Sequence, residues 1–312
     1  MTDKLGHSYW LGAADIKHLL VLNPLVSLGT IGLEWLMILG AMLLHILFYD
    51  PILYLFIWLF IGTRMYALYA LLHDGMHYLL FPSKKINDLI CIVFLAGPLF
   101  ISLKKIRKVH FLHHAHLKTE MDPENIHLDY EEFKFPQSAF SLFGIFILDI
   151  LGINYIRYKV KKIWNLFIAW RKGEQGGLGH MLSWGIKWGI ICTALVATGL
   201  AWDFFFCWLV PYATVYQSLN RLRLASEHIS VDEENIFSTR TLKPNAVERF
   251  FLSPNSLGYH TEHHAFPAVP FYRLSDLHTK LMELDKYKKH VQIEKSYISV
   301  IRHFVASSRI TR

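Results

Sequence analysis

The sequence predicts an all-α integral membrane protein: four transmembrane helices carrying a cytoplasmic helical cap rich in histidine. Three observations lead there. Apolar residues come in long blocks, basic residues are concentrated in the segments between the paired blocks, and histidines cluster where blocks end.

The chain has 312 residues, of which 53% are hydrophobic, and a mean hydropathy of +0.28. Soluble domains are usually about 45–50% apolar. A spanning helix needs roughly 20 mostly apolar residues. Residues 25–48 and 52–72 meet that length, with Asp50-Pro51 as the turn between them. A second pair follows at 181–200 and 204–219, joined by Ala201-Trp202-Asp203. The last is short and contains Pro211, so it is expected to kink and continue beyond the membrane.

Charge placement sets the orientation. Of 32 Lys and Arg, 14 fall in 73–179, 14 in 220–312 and two in the N-terminal segment. The turns at 49–51 and 201–203 hold none and carry one Asp each. The positive-inside rule then places both termini and the middle segment in the cytoplasm, in a bacterial inner membrane or the endoplasmic reticulum. The expected plan is one domain, 1–312, with its cap formed by 73–180 and 220–312. Arg64 and Lys187 alone among the basic residues lie within spans. Each is either functional or a side chain that snorkels or meets a polar neighbour.

Other classes are excluded. The net charge of +7 follows membrane topology rather than a nucleic-acid face. Cys91, Cys192 and Cys207 form no CxxC pair, which argues against disulfides and structural zinc. The first 24 residues hold Asp3 and Asp15 and do not read as a cleaved signal peptide. Residues 155–172 form a basic amphipathic helix, suited to an anionic leaflet or to packing on another cytosolic helix.

Histidines then mark the candidate site. "HDGMH" contributes His73 and His77, "HFLHH" His110, His113 and His114, and "HTEHH" His260, His263 and His264, while His228 follows the fourth span. Residues three and four apart share a helix face, so each cluster is expected to point one way. Neutral imidazole suits iron, copper, zinc and nickel. All nine reach one membrane face only if 86–103 and 138–154 do not cross the bilayer, or cross together. Both segments are therefore read as interfacial or re-entrant. The pattern points to a multinuclear metal site.

These three clusters, in this order and at these helix ends, resemble the histidine boxes of membrane fatty acid desaturases, whose superfamily also holds hydroxylases, alkane monooxygenases and ketolases. The resemblance runs from about residue 50 to 280 and includes "DPEN" (Asp122 to Asn125) and "HHAFPAVPFYRL". It implies two irons ligated by His73, His77, His110, His113, His114, His228, His260, His263 and His264. Some acyl-CoA desaturases carry an Asn four residues before the fourth-span histidine; here that position is Leu224. Asp74, Asp122, Glu227 and Glu262 lie beside these histidines, where a carboxylate commonly accepts a ligand's other N–H.

The resemblance implies O₂-dependent desaturation of a fatty acyl or lipid substrate. No GxGxxG or CxxC pattern is present, so electrons are expected from an external donor such as ferredoxin or cytochrome b5. One alternative is a membrane di-iron hydroxylase or ketolase acting on a lipid or hydrocarbon. A metal transporter is a more distant one, since it would place its ligands near the bilayer midplane.

Overall fold

The computed structural model describes residues 11–124, 137–172, 177–228 and 235–306. Their regular elements are helical apart from one short parallel pair, β1 (Arg240–Leu242) and β2 (Gln292–Glu294), in which Thr241 faces Ile293.

After a single turn, α1 (Ala13–Ile16), come two long helices, α2 (Pro24–Phe48) and α3 (Pro51–Met76). Both start from the same chemistry. Asn23 Oδ1 accepts from Leu25 N at 3.1 Å, and Asp50 Oδ1 accepts from Leu53 N at 2.7 Å. Each cap is followed by proline at the first helical position, where a missing N–H costs nothing. Tyr49 closes the turn in the left-handed region, at φ 43°. These two helices are long and apolar enough to cross a membrane. They differ in surroundings: 72% of the apolar window of α3 is buried within the protein, against 28% for α2.

The segment expected to be interfacial at 86–103 is α4 (Lys84–Ile90) running into a π-helical stretch, Cys91–Ala96. Ser83 caps α4 through Ile86 N. At 7 and 6 residues these pieces fall well short of the roughly 20 a crossing requires. α5 (Leu103–His116) follows.

The second ambiguous segment is α6 (Ala139–Ile150), which meets α7 (Ile153–Arg171) at 71°. Gly152, at φ 73°, makes the bend. Together the two are long and apolar enough for a third crossing, or they form a re-entrant loop. The apolar stripe predicted on 155–172 is real: Ile156, Val160 and Ile163 are all exposed, and no side chain of α7 is buried.

α8 (Gly177–Ala197) covers the predicted third span, but the side chain of Lys187 lies outside the described residues. The predicted fourth span is not one regular helix. It comprises α9 (Ala201–Phe204), π-helical stretches at Phe205–Leu209 and Tyr212–Tyr216, and then α10 (Gln217–His228). Pro211 has no N–H for the ladder, and the helix widens on both sides of it. Among the described residues, two helices are long and apolar enough to cross a membrane, or three if the bent pair counts as one span.

The remaining helices are α11 (Ala246–Leu252), α12 (His260–Ala265), α13 (Leu274–Leu281), α14 (Asp285–His290) and α15 (Tyr297–Ala306). The chain divides into two compact units. One takes the described residues of Met1–Leu36, Arg64–Leu142 and Leu219–Arg312. Its apolar core around α12 to α14 includes Ala265, Leu277, Leu281 and Tyr287. The other takes Met37–Thr63 and Phe143–Ser218. There α3 lies so close to Val215 that a Cβ on Gly62 would collide with it, and Trp58 Nε1 donates to Thr214 Oγ1 at 2.8 Å.

Candidate metal centre

All nine histidines singled out in the sequence lie in the first unit and meet in two groups. His73, His77, His110, His114 and His263 form one; His113, His228, His260 and His264 form the other. Within each group, one ring nitrogen per residue lies within 4.8 Å of all the rest.

The sequence expectation that each cluster points one way holds for His73 and His77 but needs correcting for the other two. α5 sends His110 and His114 to the five-histidine group and His113 to the four-histidine group. α12 likewise sends His263 to the first group and His260 with His264 to the second. Helical geometry accounts for this. Residues four apart are nearly in line along the axis, whereas adjacent residues diverge by about 100° at 3.6 residues per turn. One helix can thus serve two centres, and the stacked rings of His114 and His264, 4.2 Å apart, join them.

The electrostatics favour neutral rings. Burial, reinforced by neighbouring imidazoles or cationic side chains, holds His110, His228, His260, His263 and His264 well below the usual histidine range. Burial, with Arg107 nearby, pushes His77 down to about 3. Their nitrogens nevertheless converge: Nε2 atoms are 2.7 Å apart in His77–His110, 2.9 Å in His228–His260, and 3.1 Å in His114–His263. Nε2 of His73 and of His113 is buried with no hydrogen-bond partner among the described residues. Buried, neutral, convergent lone pairs are the donor set a borderline transition metal takes, so the residues present fit two such ions.

The four carboxylates have distinct surroundings. Asp122 accepts His113 Nδ1 on both oxygens at 3.0 Å. It is itself held by Lys118 N and Glu124 N. Burial would lower His113, but its hydrogen bond to Asp122 and the nearby Glu124 carboxylate outweigh it and hold the ring above its usual value. Glu227 pairs with Arg223 at 2.6 Å and lies 3.7 Å from His260 Nε2.

Asp74 and Glu262 hold other partners. Asp74 accepts Phe271 N at 2.7 Å, tying the first histidine segment to the chain after the third. Glu262, fully buried, accepts His278 Nδ1, Tyr287 OH and Thr241 Oγ1, at 2.5, 2.9 and 2.8 Å. On a helix the side chain at 262 cannot face the same way as its neighbours at 260 and 263. It anchors α12 to the core from behind. His278 lies outside the histidine clusters of the sequence, and nothing local marks it or Tyr287 as a partner of Glu262.

The fatty acid desaturase family model matches residues 50–296. The chain is also similar to the dihydrorhizobitoxine desaturase of Bradyrhizobium elkanii, with 28% identity over 242 residues, covering 74% of this chain and 68% of that protein. With its apolar helices and its two histidine groups, the chain belongs to the fatty acid desaturase family and is an oxidoreductase of that family.

Proposed function

We propose that this protein is an O₂-dependent desaturase of a fatty acyl or lipid chain, with one iron held by His73, His77, His110, His114 and His263 and another by His113, His228, His260 and His264. The gathering of all nine histidines into two buried groups carries this reading. When bound, the two irons supply the O₂ activation needed to take hydrogen from an unactivated C–H bond. Two hydrogens leave the substrate, an external donor such as ferredoxin or cytochrome b5 provides two electrons, solvent provides two protons, and O₂ leaves as two waters.

The chain's own residues bind, orient and exclude water. Burial keeps His77, His110, His228, His260, His263 and His264 neutral, so their lone pairs stay free for metal. Asp122 fixes the His113 tautomer by accepting its Nδ1–H, leaving Nε2 to face the centre. Asp122→Asn is expected to weaken metal binding at the four-histidine group by about 10-fold or more, measured as iron retained per chain against a chelator.

We place the chain in the membrane as one domain with four crossings, at 25–48, 52–72, 181–200 and 204–219, and both termini in the cytoplasm. The support is the distribution of basic residues together with the two long apolar helices.

Product mass tests the reaction. The chain would be expressed with a ferredoxin or cytochrome b5 system, and extracts compared by mass spectrometry, with acyl lipids and dihydrorhizobitoxine as candidate substrates. The expected product is lighter by two hydrogens. A product heavier by one oxygen would replace desaturation with hydroxylation.

A further inference from the structure

Arg107 is the most fully committed side chain beside the histidine groups. Nε donates to Met76 O at 2.9 Å. Nη2 donates to Gly75 O at 3.0 Å and to Asp88 Oδ1 at 2.6 Å, and Nη1 donates to Asp88 Oδ2 at 3.0 Å and to the Tyr78 hydroxyl at 2.9 Å. These bonds use all five N–H donors of a guanidinium. The group also lies over the Tyr78 ring, 3.9 Å from its centroid.

Those contacts are placed to control metal-ligand register. Gly75 and Met76 sit between His73 and His77, and their carbonyls are among the last four of α3, which have no i+4 partner within the helix; Tyr78 N reaches Gly75 O at 3.2 Å. A cation there is favoured by the helix dipole. Tyr78 ends the helix in the left-handed region, at φ 62°. Fully buried Asn87 adds a bond to Gly75 O at 2.9 Å, and a Cβ on Gly75 would collide with Cys91 Sγ. Arg107 itself lies three residues before His110 and seven before His114, on one face of α5. It thus bolts the end of α3 to α5 about one turn from the ligand positions.

The two helices contribute unequally. α3 with the turn that follows it, and α5, supply four members of the five-histidine group but only His113 of the other, whose remaining members come from α10 and α12. His113 has its own brace in Asp122. We propose that Arg107 is a positioning residue that sets the metal affinity of the five-histidine group and leaves the four-histidine group unaffected. This rests on reading the two groups as two metal sites.

The test counts metal on the full chain. Apo-protein purified in detergent would be titrated with iron(II) under anaerobic conditions, and bound metal per chain read by equilibrium dialysis. Wild type is expected to hold two ions. Arg107→Gln is expected to keep one at wild-type affinity and bind the other about 10–100-fold more weakly, as loss of a group supporting a ligand does. Combined with His77→Ala it should remove no further ion, whereas combined with His264→Ala it should leave no tight site. Should Arg107→Gln fail to accumulate, Arg107→Lys applies the same test, keeping the charge but losing the fork.

Two tight ions in the Arg107 variant, or equal weakening of both, would overturn the assignment. Fewer than two in wild type would instead overturn the two-site reading beneath it.

Discussion

His113→Ala is expected to reduce turnover to background while the chain still enters the membrane. His113 is buried, with Nδ1 committed to Asp122 and Nε2 without a partner among the described residues. In the proposed centre that free nitrogen is a ligand of the four-histidine group, and alanine offers nothing in its place. The surroundings tolerate the change. Asp122 keeps the backbone N–H groups of Lys118 and Glu124, so its carboxylate is not left bare. Insertion depends on apolar length in α2 and α3, which the substitution does not touch. The measurement pairs product detection by mass spectrometry with the amount of protein in the washed membrane fraction. An active, inserted variant would remove His113 from the centre.

Arg64→Met should cause the largest loss of stability, about 3–5 kcal/mol, as expected when one partner of a buried ion pair is removed. Arg64 is 1% exposed and pairs with Glu34 of α2 at 3.3 Å. It also donates to Phe250 O and lies over the Phe250 ring, 3.9 Å from its centroid. Removing the guanidinium strands the Glu34 carboxylate in a dry site. Arg64→Met with Glu34→Leu should recover much of the loss, because a buried pair replaced whole by apolar groups is often near neutral. Thermal unfolding in detergent of the two single variants and the double variant reads this directly. A double variant no better than Arg64→Met would assign the loss to the Phe250 contacts instead. The sequence left Arg64 open between function, snorkelling and a polar neighbour; the neighbour is Glu34.

Much was legible in the sequence because it is local. The caps at Asn23 and Asp50, each followed by proline, mark where α2 and α3 begin, and apolar length marks what they can cross. Histidine spacing identified eight of the nine residues that meet, since neighbours on a helix are set by its own geometry; His228 stood out by its place after the predicted fourth span and by the family resemblance. The carboxylate of "DPEN" was legible for the same reason: it folds back nine residues onto His113.

What chain neighbours could not disclose was decided by tertiary structure. The division into five and four separates His113 from His114 and His263 from His264, since adjacent helical residues diverge while the helices opposite choose which direction meets a partner. Glu262, between two candidate ligands, turns to His278 and Tyr287 because α13 and α14 pack behind it. Arg107 showed as one basic residue among several in "KKIRKVHFLHH", yet it meets both the Gly75 and Met76 carbonyls at the end of α3. Local periodicity determined which residues could bind metal; packing of distant segments decided how they are grouped and what holds them, because hydrogen-bond partners at long sequence separation leave no trace in spacing.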